Sequence, residues 1–295
     1  MRRLERLYLY HYKKVIIFPI ILLILSIIVL GIQQARTGSI INRDISLQGG
    51  ISATITTEHP VDIQQLEQGL RTNFPDSDIN VRELGDLTTG KKIGILVELT
   101  NAKNDQLQPF LEKQLGISLT SQNYSVEEIG ASLSSSFFRE LILTLIFSFL
   151  FMSIVVFIAF RKVVPSTAVI FTAFTDIVVT LAIVSIINLR ISTAGVAAFL
   201  LLIGYSIDTD ILLTTKVLKR TGGSLFDRMY SSIKTGLMMT LTAVVAVTIG
   251  LILSNSLVLK QIFTIILIGL LVDVIATYGG NAPALVWYCK KKNIQ

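Results

Sequence analysis

Long runs of apolar residues alternate with short polar segments along most of this chain. A membrane-spanning helix needs about 20 such residues, because the hydrocarbon core is about 30 Å thick. Six runs have roughly this length, at residues 15–32, 141–160, 163–187, 191–213, 235–253 and 257–288. We expect the last run to be tilted, with an overhang at one end. The pattern predicts six transmembrane helices: one follows a basic leader within residues 1–36, and five lie in residues 126–295.

Lysine and arginine are concentrated on alternate sides of these runs. They occur in segments 2–14, 161–162, 216–234 and 290–292, whereas the opposite short loops carry only Arg190 and Lys260. Short cytoplasmic loops are enriched in lysine and arginine, so we expect a multi-pass protein of the cell membrane with both termini in the cytoplasm. Segment 216–234 also contains spaced apolar residues, which predicts short helical structure lying on the membrane surface.

The segment between the first two runs, residues 37–125, is predicted to form an extracytoplasmic domain. Its apolar patterns indicate strands at 51–57, 78–84, 93–99 and 117–122, and helices after Pro60 and at 105–115. The order βαββαβ is typical of a ferredoxin-like α+β fold, an antiparallel sheet with helices on one face. Residues 125–128 have the sequence Ser-Val-Glu-Glu, a capping box, so we expect a helix to begin there and continue into the second run.

The composition is typical of a membrane protein and argues against nucleic-acid binding, an internal disulfide and a zinc site. Apolar residues make up 52% of the chain and charged residues 16%, against about 25% charged in soluble domains. The net charge of +6 is accounted for by the basic flanks, so it does not indicate nucleic acid. The single Cys289 excludes an internal disulfide, and His11 and His59 are too far apart to suggest a zinc site. We expect no metal and no other cofactor.

Two short motifs in residues 37–125 are weak indicators of function. Residues 85–92 nearly match a phosphate-binding loop, but Lys92 stands where Ser or Thr should bind magnesium, and the segment leads into a strand. We interpret it as a hairpin turn. Asn123 begins a glycosylation sequon on the predicted outer side, and whether it is modified stays open.

Four aspartates interrupt the apolar runs, and they are the candidate functional residues. Asp176 lies in the third run, Asp208 and Asp210 in the fourth, and Asp273 in the sixth. A carboxylate at a helix centre costs about 2.5–3.5 kcal/mol. They either serve as hydrogen-bonded contacts between helices or form a proton or ion relay, which we favour. Because no basic residue lies at comparable depth, we expect them to be neutral at rest or paired with another subunit.

The fourth run carries the most specific motif of the chain. Its sequence, Gly204-Tyr205-Ser206-Ile-Asp208-Thr-Asp210, resembles the signature of the SecF family, particularly the archaeal branch.

Three further stretches agree with this resemblance. Asp176 resembles the aspartate of a His-Asp motif, although Thr175 replaces the histidine. The sequence around Asp273 resembles the family's sixth helix. Gly49 and Gly50 resemble the glycine pair that opens the outer domain, although Ser46 stands where an acidic residue is common.

This resemblance implies a fold, a partner and an energy source. SecF pairs with SecD, and each contributes six helices to an arrangement of the RND transporter superfamily. The pair assists the Sec translocon, a SecY-type channel, in drawing exported preproteins outward. Its energy comes from the proton or sodium gradient, with membrane lipid around it. The resemblance implies transport, so we expect no enzyme activity.

Other functions remain open at this point. An RND-type half-transporter could export a small molecule or lipid, although an outer domain of about a hundred residues is small for a drug-sized cleft. An intramembrane aspartyl protease would need two carboxyl groups about 3 Å apart, and its usual Tyr-Asp and Gly-x-Gly-Asp motifs do not occur in the sequence. A passive scaffold is the alternative to all of these.

Asp208 and Asp210 are expected to have different roles. Residues two apart on a helix point about 200° away from each other, so the two cannot line one wall. We expect Asp208 to be the coupling carboxylate, because it follows a Gly-Tyr-Ser-Ile stretch that can pack closely. Asp210 is then expected to support assembly or stability.

Overall fold

The fold is that of a computed structural model, which describes residues 5, 8, 10–57, 61–85, 92–219, 222–254 and 256–293. Most of the predicted hairpin turn at residues 85–92, much of the basic leader and Pro60 lie outside the described residues. In chain order the elements are α1 (Tyr12–Thr37), α2 (Ile45–Gln48), β1 (Gly50–Thr56), α3 (Ile63–Asn73), β2 (Ile79–Gly85), β3 (Lys92–Leu99), α4 (Asn104–Leu115), β4 (Tyr124–Ile129), α5 (Ala131–Phe160), α6 (Val163–Ile186), α7 (Thr193–Lys219), α8 (Leu225–Leu253), α9 (Leu257–Ala276), a π-helical segment (Thr277–Asn281) and α10 (Ala282–Lys291).

The prediction of a six-helix membrane protein is confirmed. Six helices are long and apolar enough to cross a membrane: α1, α5, α6, α7, α8 and the continuous helix from α9 through α10. In their most apolar stretches 56% of α6 and 50% of α7 is buried, but only 6% of α5 and 11% of α8. The protein is therefore a multi-pass membrane protein in which α6, α7 and α9 form the interior and the other helices surround them.

The domain between α1 and α5, which we call the outer domain after its predicted location, has the predicted antiparallel sheet. Its strand order is β2-β3-β1-β4, with every neighbouring pair antiparallel. Alternate residues of β1 face one core, where they meet Leu66 of α3 and Leu107 of α4. Both helices thus cover the same face of the sheet. This is the ferredoxin-like arrangement that the order βαββαβ predicted.

The fourth strand lies one segment later than predicted. It spans Tyr124–Ile129 rather than residues 117–122, so residues 125–128 do not begin a helix. The Asn123 side chain accepts a hydrogen bond from Thr120 N at 2.7 Å and forms the turn before the strand. The following residues pair with β1, from Tyr124 opposite Ile55 to Ile129 opposite Gly50. Pairing of an otherwise open edge of β1 outweighs the local capping signal, and α5 begins after Gly130.

The described residues of the basic segment 216–234 belong to two membrane helices and the turn between them, not to separate surface helices, which corrects that prediction. α7 continues to Lys219, and α8 begins at Leu225 behind a capping box formed by Ser224 and Asp227. Phe226 and Met229 at the start of α8 are buried against α7 and α10. The apolar residues of this segment therefore contact other helices of the protein, and the segment extends two membrane helices.

Candidate functional site

Three of the four predicted aspartates are buried together in the helix bundle. Asp176 on α6 is 1% exposed, and Asp210 on α7 and Asp273 on α9 are 0% exposed. The three helices pack against one another, so the carboxyl groups meet between them. We call these three residues the carboxylate cluster.

Asp273 is held by hydroxyl groups from two directions. Ser206 Oγ of α7 donates a hydrogen bond to Asp273 Oδ1 at 2.6 Å, and Thr277 Oγ1 donates to the same oxygen at 3.2 Å. The Ser206 contact joins α7 to α9 at the centre of the bundle. Ser206, which belongs to the fourth-helix motif, thereby contributes directly to the carboxylate cluster.

Asp210 is held by an amide from the π-helical segment. Asn281 Nδ2 donates to Asp210 Oδ1 at 2.8 Å and also lies 3.3 Å from Thr214 Oγ1. The segment Thr277–Asn281 contains the extra residue of a π-helical turn, a distortion that occurs often at functional sites. Thr277 and Asn281 bracket the distortion, and each of them contacts a different aspartate of the cluster.

Asp176 differs from the other two in making no hydrogen bond of regular geometry with the described residues. The hydroxyl groups of Ser206 and Thr180 lie close enough to interact with it, and it lies within electrostatic range of Asp273 and Asp210. The salt bridges of the described residues include none of the three. Nor do they form a group of three ligands close enough to hold a metal ion, within the part of the chain described. The cluster is therefore a set of carboxyl groups for which the described residues provide no cationic side-chain partner.

Asp208 does not join the carboxylate cluster. Its side chain is exposed on the opposite side of α7, where it borders a groove of about 530 Å³ together with Gly204 and Tyr205. The remaining wall is apolar and includes Leu201 and Val247. The expectation that Asp208 is the coupling residue therefore has no support from its position, while Asp210 has the interior position.

The spacing of the fourth-helix motif explains this division. Residues four apart share a helix face, so Ser206 and Asp210 face the interior while Gly204 and Asp208 face the groove. A Cβ atom built on Gly204 would have nothing within 4 Å. The motif thus has one face for the carboxylate cluster and one face that the described residues leave uncovered.

The local structure explains why glycine occupies both positions of the outer-domain pair, Gly49 and Gly50. Gly49 has φ +84°, and a Cβ atom there would lie 2.5 Å from Ala131 Cα. Gly50 has φ +140°, and a Cβ atom there would lie 2.2 Å from Leu99 O. These values favour glycine, because the chain passes closely between the start of α5 and strand β3. The pair joins the outer domain to the membrane helices and lies apart from the carboxylate cluster.

A second charged group lies at this junction. Glu98 of β3 is 3% exposed and accepts hydrogen bonds from Asn80 Nδ2 at 2.5 Å and Arg82 Nη2 at 3.0 Å. Burial and the neighbouring Glu98 charge raise the pKa of Asp44 to about 7. Burial favours a higher pKa for Glu98 as well, but the Arg82 charge and the hydrogen bonds outweigh it and lower the pKa of Glu98. Of these two carboxyl groups, Asp44 is therefore the one that holds a proton more readily.

Sequence reasoning missed Asn281 and Thr277 as members of the site. A signal was present, because Asn281 is an amide within a run long enough to span the membrane and it follows Gly279 and Gly280. A buried amide needs hydrogen-bond partners, and the aspartates of the neighbouring runs were the available ones.

Residues 112–291 match the family described as Protein export membrane protein SecD/SecF, C-terminal. The chain is 37% identical over 283 residues to the protein-export membrane protein SecF of Methanocaldococcus jannaschii, covering 94% of this chain and 95% of that one. It is 33% identical over 285 residues to the SecF of Methanolacinia petrolearia, covering 96% and 95%.

Solved structures share the fold. SecDF of Thermus thermophilus superposes with a TM-score of 0.73 at 19% identity, over 95% of this chain and 38% of that chain. SecDF in a super-membrane-facing form gives a TM-score of 0.56 at 19% identity, over 97% of this chain and 39% of that chain. This chain thus spans well under half the length of these SecDF chains. With the sequence matches extending over nearly its whole length, the chain belongs to the SecF family of protein-export membrane proteins.

Proposed function

We propose that this chain is an auxiliary subunit of the Sec protein-export machinery, which pairs with SecD and promotes protein translocation across the membrane. The names of its relatives support the export role. The observation that carries the proposal is the carboxylate cluster of Asp176, Asp210 and Asp273, buried without a cationic side-chain partner among the described residues. We infer that this cluster couples export to the proton or sodium gradient.

An ion gradient supplies enough free energy for such a role. One elementary charge crossing about 100 mV releases about 2.3 kcal/mol. A buried carboxyl group changes its interactions strongly when it gains or loses a proton, because an unpaired buried charge is costly. The cluster joins α6, α7 and α9, so a change in its charge acts on the packing of three helices at once.

The hydrogen bonds of the cluster suggest a different role in ion coupling for each aspartate. Asp176 makes no hydrogen bond of regular geometry with the described residues, although the Ser206 and Thr180 hydroxyls lie near it, so its charged form is the least directly stabilised of the three. Asp273 is tied to α7 through Ser206, and Asp210 is tied to the π-helical segment through Asn281. We infer that Asp176 takes up and releases the ion, while Asp273 and Asp210 transmit the change.

The uncovered face of α7 supports pairing with SecD. Asp208 and Gly204 border an apolar groove there, and a carboxyl group facing hydrocarbon is unfavourable. A partner helix with a hydrogen-bond donor would cover it, and the open space at Gly204 permits close approach. The chain covers 38% of the SecDF chain of similar fold, so a separate SecD chain would supply most of the remaining length.

The proposal also includes the orientation of the chain in the membrane and its other partners. Both termini lie in the cytoplasm, as the basic flanks favour, and the outer domain extends on the opposite side. There it contacts exported preproteins as they leave a SecY-type channel. Membrane lipid surrounds α5 and α8, whose apolar side chains are largely exposed.

Co-purification and export together test this function. The chain is tagged, extracted in mild detergent and examined for a SecD homologue, and precursor translocation is measured in vesicles with and without the chain. We expect SecD to be retained and translocation to slow when the chain is omitted. As a test of the groove, Gly204→Leu should reduce SecD retention, whereas Gly31→Leu should not, although both positions have open space around them. Full retention of SecD by the folded Gly204→Leu variant would contradict the groove as the contact.

A further inference from the structure

A polar cavity lies where the outer domain meets the ends of the membrane helices. It has a volume of about 530 Å³ and lies between the end of α1, the start of β2 and the loop joining α6 to α7. Two arginines and several amides line it, including Asn42, Arg43, Gln48, Asn80, Asn188 and Arg190. We call it the arginine cavity. Neither the carboxylate cluster nor the groove at Asp208 shares a residue with it.

The guanidinium group of Arg43 lacks an anionic partner within the part of the chain that the structure describes. Its central carbon lies 4.9 Å from the centre of the Phe138 ring, which orients the group. Its buried Nε has no hydrogen-bond partner, and no salt bridge of the described residues includes Arg43. A partly buried cation is costly unless an anion or acceptors compensate it. The cavity therefore contains a charge that a bound anion would stabilise.

Arg190 adds a second cation that its own partner balances weakly. Its side chain is 14% exposed and lies 3.1 Å from Asp78, whose side chain is 53% exposed. Ion pairs with such an exposed partner contribute little. With Arg43 and Arg190 against Asp78, the charged residues lining the cavity carry a net positive charge.

The amides around the arginines supply further donors. Asn42 Oδ1 already accepts from Gln33 Nε2 at 2.8 Å, and Asn42 Nδ2 lies 3.4 Å from Asn188 Oδ1. The second of these contacts is long for a hydrogen bond, so an anion could replace it readily. Arginine forks together with amide donors match the oxygens of a phosphate group.

The cavity is bordered by apolar side chains that suit a lipid. Ile40 is 52% exposed and follows the lining residue Ser39, and Ile187 is 50% exposed and precedes the lining residue Asn188. Each lies just after the end of a membrane helix, Ile40 after α1 and Ile187 after α6. A ligand with a phosphate head and acyl chains would place the head in the cavity and the chains along these residues.

We propose that the arginine cavity binds a phosphate-bearing anion, with the headgroup of an anionic membrane lipid as its source. Bound there, the lipid bridges the linker before β1 and the loop before α7. The site thereby ties the outer domain to the membrane surface. This role does not depend on ion coupling and stands or falls separately from the proposed function.

Native mass spectrometry of the full chain in mild detergent tests the site. The probes are phosphatidylglycerol, the zwitterionic phosphatidylcholine, and inorganic phosphate alone. We expect one phosphatidylglycerol to be retained in preference to phosphatidylcholine. In Arg43→Gln its affinity should fall about tenfold or more, the factor that corresponds to losing one charge-assisted contact. Arg139→Gln removes an exposed arginine from α5 and should leave retention unchanged.

The other outcomes separate the sources and the causes. Retention of inorganic phosphate alone, abolished in Arg43→Gln, would support the anion site and assign it to a soluble anion. Arg43→Lys keeps the charge without the planar fork, so it should fold if Arg43→Gln does not, and it should bind phosphatidylglycerol more weakly than the parent chain. Equal effects of the Arg43 and Arg139 variants, or no effect of either Arg43 variant, would overturn the proposal.

Discussion

Raising the pH through 7 should loosen the outer domain, and Asp44→Asn should remove most of this effect. Asp44 lies in the linker before β1, where its backbone N donates to Ile191 O at 3.0 Å and its carboxyl group neighbours Glu98 of β3. Its pKa in the folded protein is about 7, above the ordinary value of 3.8. The folded state thus binds the Asp44 proton more tightly than the unfolded state. This stabilisation is fully present below pH 3.8 and is lost as the pH rises through about 7.

The size of the effect follows from the pKa difference. The shift is roughly three pKa units, and each unit corresponds to about 1.4 kcal/mol, so the upper bound is about 4 kcal/mol. The measured change should be smaller, because Asp44 stays partly accessible and shares its proton with Glu98. Asn retains the oxygen that accepts the hydrogen bond from Ile45 N at 2.5 Å. The substitution therefore removes titration while keeping the local turn.

Hydrogen–deuterium exchange of β1 and β3 in lipid nanodiscs measures this directly, once rates are corrected for intrinsic pH dependence. Between pH 5 and pH 8 we expect exchange to rise in the parent chain and in Asp76→Asn, which alters an exposed turn residue. In Asp44→Asn the pH dependence should be nearly flat. Identical pH profiles for the parent chain and Asp44→Asn would refute the reasoning, because the pH dependence would then not come from the titration of Asp44.

Two further substitutions test the packing around the sites. Gly50→Ala should destabilise the outer domain by about 1–3 kcal/mol, because its Cβ would lie 2.2 Å from Leu99 O. Gly130→Ala is the control, since a Cβ atom there would have nothing within 4 Å. Equal thermal unfolding of the two variants would contradict the reasoning. Asn281→Ala should lower the unfolding temperature of the membrane region in detergent, since removing a hydrogen bond to buried Asp210 costs about 1–3 kcal/mol. An unchanged unfolding temperature would mean that this contact contributes nothing.

Much of the fold follows from patterns that are local in the sequence. Apolar run length sets the six spans because lipid offers no hydrogen bonds to an exposed backbone, and alternation of apolar residues identifies β1 and β3. The position of β4 is different, because residues 125–128 satisfy both a capping box and a strand. Only the open edge of β1, which a single segment does not reveal, decides between the two.

The sequence predicts that buried aspartates form the candidate site, but it does not predict which of them lie together. Helical periodicity requires Asp208 and Asp210 to face apart, yet it does not say which face meets α6 and α9. That choice depends on the rotation of α7 about its own axis within the bundle. Ser206 lies on the same face of α7 as Asp210, and its hydrogen bond to Asp273 shows that this face meets α9. The π-helical turn that brings Asn281 to Asp210 likewise has no periodic signal of its own.

Gradient-dependent translocation with Asp176→Asn tests ion coupling through the carboxylate cluster most directly. The measurement uses vesicles that contain the chain, a SecD homologue and the channel, with and without an imposed proton or sodium gradient. Asp176 accepts no hydrogen bond of regular geometry from the described residues, and Asn preserves its shape and packing while removing titration. We expect Asp176→Asn to lose stimulation by the gradient while remaining folded and paired with SecD, and Asp76→Asn to keep it. Full gradient stimulation in a folded, paired Asp176→Asn variant would contradict the claim that the cluster couples export to an ion gradient.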